Sequence, residues 1–488
     1  MATSPARLPG SPTRSGPGSG VLAVLLLLWL AGSLRAFALW AHDPLYAYAN
    51  SYDQTRYTSC FHFYPDRPAA IPPQRNSPQA PFARYRFIAS EDPMCYWSSE
   101  LLFTGATTLA WRIDAALTGG EVHQVRWVGA LRWLALLALS IALSRAWLQR
   151  GNEAAAIGNA VLVPLLFADP GNTLYLNTFY AEWTALLAAY GLFGLALLWH
   201  GAPCNRRRFG LLALAAFALA MAKIQHLVLP LGLACVLAVL DWARPGQPRW
   251  RALALACGAL AGLGVQLAQL QRSDPMMNAI DQYNRADVVF TALLPFADDP
   301  AKLLSDLGIE AECLRFRGEH AWEFPDLPEK VCPGLANFTR GTELAILLRH
   351  PALAGRLAVA GVEALDPWIA RNLGEVEGGD FASIPSTVPS LGRPLHAWPW
   401  LRLGVLALPC LALVVLLVRP GMRRGGRSLD HAALTVAAMA ITLGVTVLGD
   451  GLADTAKQGH LVVNAALAWL LASLAWLATR AWRNVTSR

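Results

Sequence analysis

The sequence predicts an all-α integral membrane protein with about ten transmembrane helices and two large extracytoplasmic loops. Two compositional facts and one pattern predict it. Hydrophobic residues make up 55% of the 488 residues and charged residues only 15%, against roughly 25% in a soluble globular chain. The mean hydropathy is +0.36. Apolar runs near the ~20 residues that a spanning helix needs recur along the chain, and every second connector between them is basic. The formal charge of +7 is therefore a topological signal. No P-loop, zinc-finger spacing or RNA-binding aromatic motif accompanies it, so nucleic acid is not an expected partner, and no internal repeat has a regular period.

Residues 1–20 are rich in Pro, Gly, Ser and Arg and read as a disordered cytoplasmic tail. The apolar run from Val21, with small residues at Ala36 and Ala38, has features of a signal peptide, but it continues through Trp40 and suits a retained span better. Candidate spans cover 21–41, 126–148, 156–168, 182–200, 210–222, 226–241, 252–270, 401–419, 431–449 and 460–479. Those at 156–168 and 210–222 are short, and are expected to extend into polar flanks or to stop partway across. This divides the chain into a transmembrane part at 21–270, a loop domain at 271–400 and C-terminal helices at 401–488.

Charge sets the orientation. Arg7 and Arg14, then Arg145 and Arg150, Arg206 to Arg208, Arg244, Arg249 and Arg251, then Arg419, Arg423, Arg424 and Arg427, and finally Arg480, Arg483 and Arg488 mark alternate connectors. The positive-inside rule then places both termini in the cytoplasm. The opposite face receives the loops 42–125 and 271–400 and three polar turns: Asp169 to Tyr180, Lys223 to His226 and Asp450 to His460. Within the second loop, Asp299, Pro300 and Gly308 frame a short helix with an N-cap, a first-turn proline and a C-terminal glycine. Leu344 to Ala364 is amphipathic and suits the membrane surface.

Two cysteines fall in each large loop, and the expected pairs are Cys60–Cys95 and Cys313–Cys332. In the chain-entropy account, closing loops of this length contributes roughly 3–4 kcal/mol. Cys235, Cys257 and Cys410 lie in apolar spans, Cys204 lies on the cytoplasmic side, and no cluster has metal-ligand spacing.

Ionisable residues at membrane depth are costly and point to function. Here they gather at one face: Asp169, Glu182, Lys223, His226, Asp450, Asp454, Lys457 and His460. Singly, each is as well explained by a helix cap or a snorkelling end; converging from three turns, they suggest a shared polar cavity. A fourth segment, Ala49 to Tyr57, stands just beyond the first span and places Asp53 and Arg56 at the interface, although an Asx-turn also accounts for its Asp. Asp450, Asp454 and Lys457 are spaced to share a helical face.

Together these segments resemble the bacterial polytopic hexose transferases of surface-glycan assembly, the WsfD-like group, with the layout of GT-C glycosyltransferases. The resemblance runs from about residue 40 onward. It rests on Asn50 to Arg56, on Asp169, Asn172, Tyr175 and Glu182, on Ala222 to Gln225, on Tyr283 to Gly308, and on Gly449 to Lys457. The chain departs from the pattern at Trp183 and Gln458, and Ile369 to Glu377 matches it only loosely. The resemblance implies a bacterial inner-membrane enzyme that uses a polyprenyl-phosphate hexose donor on the extracytoplasmic side, with a cell-surface glycan or a lipid-linked acceptor and membrane lipid as partners. It implies inverting displacement, with Asp53 as general base and Arg56, Lys223 and Lys457 on the phosphate. Glu182 and Asp450 then hold those cations or the sugar, and Asp169, Asn172, Tyr175, Gln225, Asp454 and His460 complete the substrate-binding set. No cofactor is fixed; a divalent cation is left open. The competing readings are a lipid-linked-glycan transporter, a surface-polysaccharide polymerase or ligase, and a non-catalytic assembly subunit. Internal repeats and little soluble mass mark a transporter, and the long second loop argues against one.

Overall fold

The computed structural model describes residues 19–43, 45–46, 51–66, 83–89, 95–244, 248–272, 275–366, 368, 387–419 and 426–486. Most of the expected N-terminal tail, Asn50, Arg423, Arg424, Arg488 and the segment Ile369 to Glu377 lie outside these residues.

The expected spans all become helical. The helices are α1 (Ser19–Trp40), α2 (Ser51–Thr58), α3 (Leu101–Thr118), α4 (Arg126–Gln149), α5 (Glu153–Leu162), α6 (Pro170–Thr173), α7 (Glu182–Leu198), α8 (Arg206–Ala222), α9 (Val228–Trp242) and α10 (Trp250–Leu270). After them come α11 (Pro275–Asp287), α12 (Pro300–Leu307), α13 (Arg340–Arg349), α14 (Pro351–Glu363), α15 (Pro399–Val418), α16 (Gly426–Asp450), α17 (Thr455–Gln458) and α18 (His460–Thr486). Among the described residues, 7 helices are long and apolar enough to cross a membrane, or up to 9 if two bent pairs each count as one span. The chain is an all-α integral membrane protein. Leucines such as Leu26, Leu27 and Leu411 point outward, as a lipid-facing surface requires, while Trp133, Trp183 and Phe167 fill the interior.

Helix packing inside a membrane depends on close backbone approach, because lipid tails are as apolar as leucine. Gly258 and Gly262 of α10 supply it. A side chain at Gly258 would collide with the carbonyl oxygen of Ala213 on α8, and a Cβ at Gly262 would stand 2.7 Å from Ala220 Cβ. At the arginine-rich end, Asp430 of α16 accepts from Arg244 at 2.6 Å, Arg251 at 2.9 Å and His200 at 2.8 Å, and Arg251 also pairs with Asp241 at 2.6 Å. That knot joins α16 to the ends of α7, α9 and α10.

Three expectations are corrected. The segment Asp169 to Tyr180 is not an exposed turn but largely helical. It is buried throughout, and the chain bends by 75° between Glu153–Phe167 and Pro170–Asn177. Irregular backbone is tolerated at such depth when protein satisfies its polar groups. Arg132 does this here, donating to Tyr175 O at 2.9 Å and to the carbonyl of Thr178 while pairing with the buried Glu100. The first loop is not simply a loop. Its strands β1 (Phe63–Pro65), β2 (Arg84–Phe87) and β3 (Val122–Gln124) form an antiparallel sheet, and Cys60–Cys95 ties it to the following segment. Its helix α3 turns Leu102, Leu109, Ile113 and Leu117 outward and buries Thr104, Thr107 and Trp111, so its apolar stripe faces away from the protein. The amphipathic stretch Leu344 to Ala364 is two helices, α13 and α14, bent by 109°.

In the second loop the short helix stands as expected. Asp299 accepts from Lys302 N–H at 3.0 Å, and Gly308 ends the helix with φ +69°. Cys313–Cys332 is also formed.

Candidate functional site

The site lies where four separated segments meet at the loop end of the bundle. The first-loop sheet positions α2: Tyr85 of β2 donates its hydroxyl to Gln54 Oε1 at 2.7 Å. On α2, Asp53 Oδ1 accepts from Arg56 at 2.6 Å and Oδ2 accepts from Lys457 Nζ at 2.7 Å. Lys457 also pairs with Asp454 at 2.6 Å, and its ammonium stands 5.0 Å from the ring centroid of Tyr180. Lys223, just past α8, donates to Glu182 at 3.1 Å and to Gln458 Oε1 at 2.9 Å. Gln458 in turn donates to Asp450 Oδ2 at 3.1 Å, and Gln225 donates to the Gln458 carbonyl at 3.2 Å. Four carboxylates thus gather around three cations, three of them in direct ion pairs and Asp450 through Gln458.

Burial alone raises the pKa of the Asp53 carboxyl. The charges of Lys457, Arg56 and Lys223 outweigh it, and the group is held well below the usual carboxylate range. Burial also opposes the charge on Lys457, but Asp454 and Asp53 overcome it and hold the ammonium firmly protonated. Asp454 is raised, chiefly by burial and against the pull of Lys457.

The expected helical face of Asp450, Asp454 and Lys457 is corrected. Asp450 ends α16, Gly451 turns the chain with φ +64°, and Lys457 lies on the separate helix α17. A side chain at Gly451 would collide with the Asp287 carbonyl and the Thr291 hydroxyl, so the turn can come this close only with glycine. Asp450 reaches the network through Gln458.

His460, Asn172, Tyr175 and Asp169 surround the network at increasing remove. The His460 ring nitrogens stand 3.0 Å from the Lys457 carbonyl and 3.1 Å from the Glu182 carbonyl, and the tautomer decides which of the two accepts from the ring. Asn172 and Asn464 exchange amide hydrogen bonds at 2.7 and 3.1 Å. Tyr175 packs 5.7 Å from His460, with its buried hydroxyl unbonded among the described residues. Asp169 has a clamping role. It caps α6, and its oxygens accept from Arg35 at 3.0 Å, Leu391 N–H at 2.7 Å and Gly171 N–H at 3.1 Å. His226 is buried 6.2 Å from His460.

Sequence reasoning missed Gln458 as the bridge between Lys223 and Asp450. It also missed Tyr180, Asn284 and Asp287. Asn284 donates to Asp450 Oδ1 at 2.9 Å once its amide nitrogen faces inward. Asp287 accepts from Ala321 N–H at 2.8 Å, and burial together with the nearby Asp450 charge pushes its pKa up to about 9. The polar run Asn284 to Asp287 beside an apolar stretch was the available signal. Among the described residues no group of three or more His, Cys, Asp or Glu side chains could hold a metal ion. Lys457 fills the gap between Asp53 and Asp454 where a cation would otherwise balance them.

A family model described as the YfdI N-terminal transmembrane domain matches residues 84–333, just over half of the chain. The chain belongs to this family. The YfdI match takes in Asp169 to Glu182, Lys223 and Asp287, and stops short of Asp53 on one side and of Asp450 to His460 on the other. Thus the site joins segments inside the family domain to segments outside it. No curated protein matches the chain.

Proposed function

We propose that this chain is a GT-C-type membrane glycosyltransferase related to the WsfD-like hexose transferases. In this reading it moves a hexose from a polyprenyl-phosphate-linked donor to a cell-surface glycan or lipid-linked acceptor, on the extracytoplasmic side of the bacterial inner membrane. The YfdI family match is compatible with a membrane glycan-modifying enzyme. The observation that carries the reading is the network itself, in which Asp53 stands between Arg56 and Lys457 beside Lys223.

In the proposed reaction Asp53 takes the proton from the acceptor hydroxyl as its oxygen attacks the anomeric carbon. The bond from that carbon to the phosphate oxygen breaks, and the electron pair leaves with the phosphate. Asp53 loses its negative charge in the same step in which the phosphate gains one. Arg56 and Lys457, which pair with Asp53 in the free site, turn toward the donor phosphate when it binds and so already face the anion as its charge grows. Glu182 and Gln458 hold Lys223 in place.

Mass spectrometry of surface glycans from strains with and without the gene tests the reading. Loss of one defined hexose increment is expected. An unchanged profile would favour a non-catalytic role.

A further inference from the structure

A cavity of about 390 Å³ lies between α4, α5, α7, α16 and α18; one end reaches Leu461 and Asn464 beside His460, and the other runs to Arg427, away from the Asp53–Lys457 network. Helix α18 lines it from Leu461 to Leu477. At ~1.5 Å per residue that is ~24 Å, most of a ~30 Å hydrocarbon layer. Small residues of α18 line it, Ala465, Ala468 and Ala472. An empty apolar channel of this size would forfeit the dispersion contacts of its whole lining, so a chain-like apolar occupant is favoured.

One end of the cavity is cationic. Arg427, Ser428 and His431 line it. The Arg427 guanidinium rests 5.2 Å from the centre of the Trp147 ring and has no ion-pair partner among the described residues. Arg150 feels the charges of both Arg427 and Arg208. The charge of the neighbouring Asp430 is felt at Arg427, but its oxygens make their close contacts with Arg244, Arg251 and His200. An apolar channel with an arginine at its mouth that makes no close ion pair among the described residues complements a lipid whose head is an anion.

We propose that this cavity binds one phosphate-headed lipid, its phosphate against Arg427 and Ser428 and its tail along α18. The phosphate end, at Arg427 and Ser428, is separate from the proposed transferase centre, and the proposal does not depend on that reading. The shared chemistry is a phosphate on a long hydrocarbon; a membrane phospholipid and a polyprenyl phosphate both supply it. The ~24 Å length exceeds the ~15 Å of one leaflet, which suits the longer tail.

Native mass spectrometry of the full chain in detergent, after delipidation, tests this. The probes are phosphatidylglycerol, a polyprenyl phosphate and phosphate-free diacylglycerol. One phosphate-headed lipid per chain should be retained and diacylglycerol should not. Competition between the two phosphate lipids identifies the source. Arg427→Glu should cut retention at least tenfold, and Ala468→Trp should do so by filling the channel. Arg427→Ala serves as a milder variant, with monodispersity and melting temperature checked for each. Equal retention by well-folded Arg427→Glu or Arg427→Ala protein, or equal retention of diacylglycerol, would overturn the proposal.

Discussion

Asp53 carries opposing demands. A general base works best with a pKa near the operating pH, yet Lys457, Arg56 and Lys223 together hold this carboxyl well below the usual range against the upward push of burial. Donor binding reconciles the two. A bound phosphate draws those same cations away, so the upward push of burial is left less opposed and the pKa of Asp53 rises in the complex. The pH profile of kcat/KM reports the free enzyme and that of kcat reports the complex. The acidic limb of kcat should therefore lie at higher pH than that of kcat/KM, with activity falling as pH falls through each. Coincident limbs would contradict the exchange of cations. Asp287 offers a second test. Its native pKa of about 9 stands far above an unfolded value of roughly 3.9, so the proton it binds favours the fold at low pH and that contribution is lost as pH rises toward 9. Asp287→Asn keeps an acceptor for Ala321 N–H and mimics the neutral acid. Its melting temperature should match the parent near pH 4 and exceed it increasingly toward pH 9. A variant less stable than the parent at pH 8 would show that the carboxylate is needed charged.

At the scale of elements, close helix packing depends on particular glycines. Gly258→Val would push a side chain into the Ala213 carbonyl and force α10 from α8. Loss of a monodisperse detergent-solubilised species is expected, whereas Gly264→Ala, with open space around it, should be tolerated. A monodisperse Gly258→Val protein with an unchanged melting temperature would refute the close approach. The helices themselves were legible in the sequence because apolar length and basic connectors are local signals. So were the helix after Asp299, the disulfide pairs and most charged members of the site, since each is costly at membrane depth. The burial of Asp169 to Tyr180 was not legible. An Asp-Pro-Gly turn reads the same on a surface or inside, and only the distant Arg132 and Glu100 reveal which. The first-loop sheet was hidden for a similar reason: its three short strands are far apart in sequence and pair only in the fold. Gln458 was read as a departure from a family pattern, when its amide is what joins Lys223 to Asp450.

At the scale of the whole molecule, two ends of one helical bundle carry different chemistry. One end holds the knot around Asp430 and the basic connectors; the other holds the disulfide-bonded loops and the network on Asp53. In the proposed topology the first end is cytoplasmic, as the positive-inside rule expects. A reporter fused after Arg208 should be active only if it functions in the cytoplasm, and a periplasm-only reporter active there would invert the map. The central claim is that Asp53 performs the proton transfer of a hexosyl transfer, and the most direct measurement is turnover of a polyprenyl-phosphate hexose by purified protein. Asp53→Asn preserves size and hydrogen bonding but removes the basic carboxylate, and loss of a general base costs about 10²–10⁴ in rate. The account predicts a monodisperse Asp53→Asn protein that still binds the donor and is slowed by that factor; near-normal turnover by the same protein would contradict it.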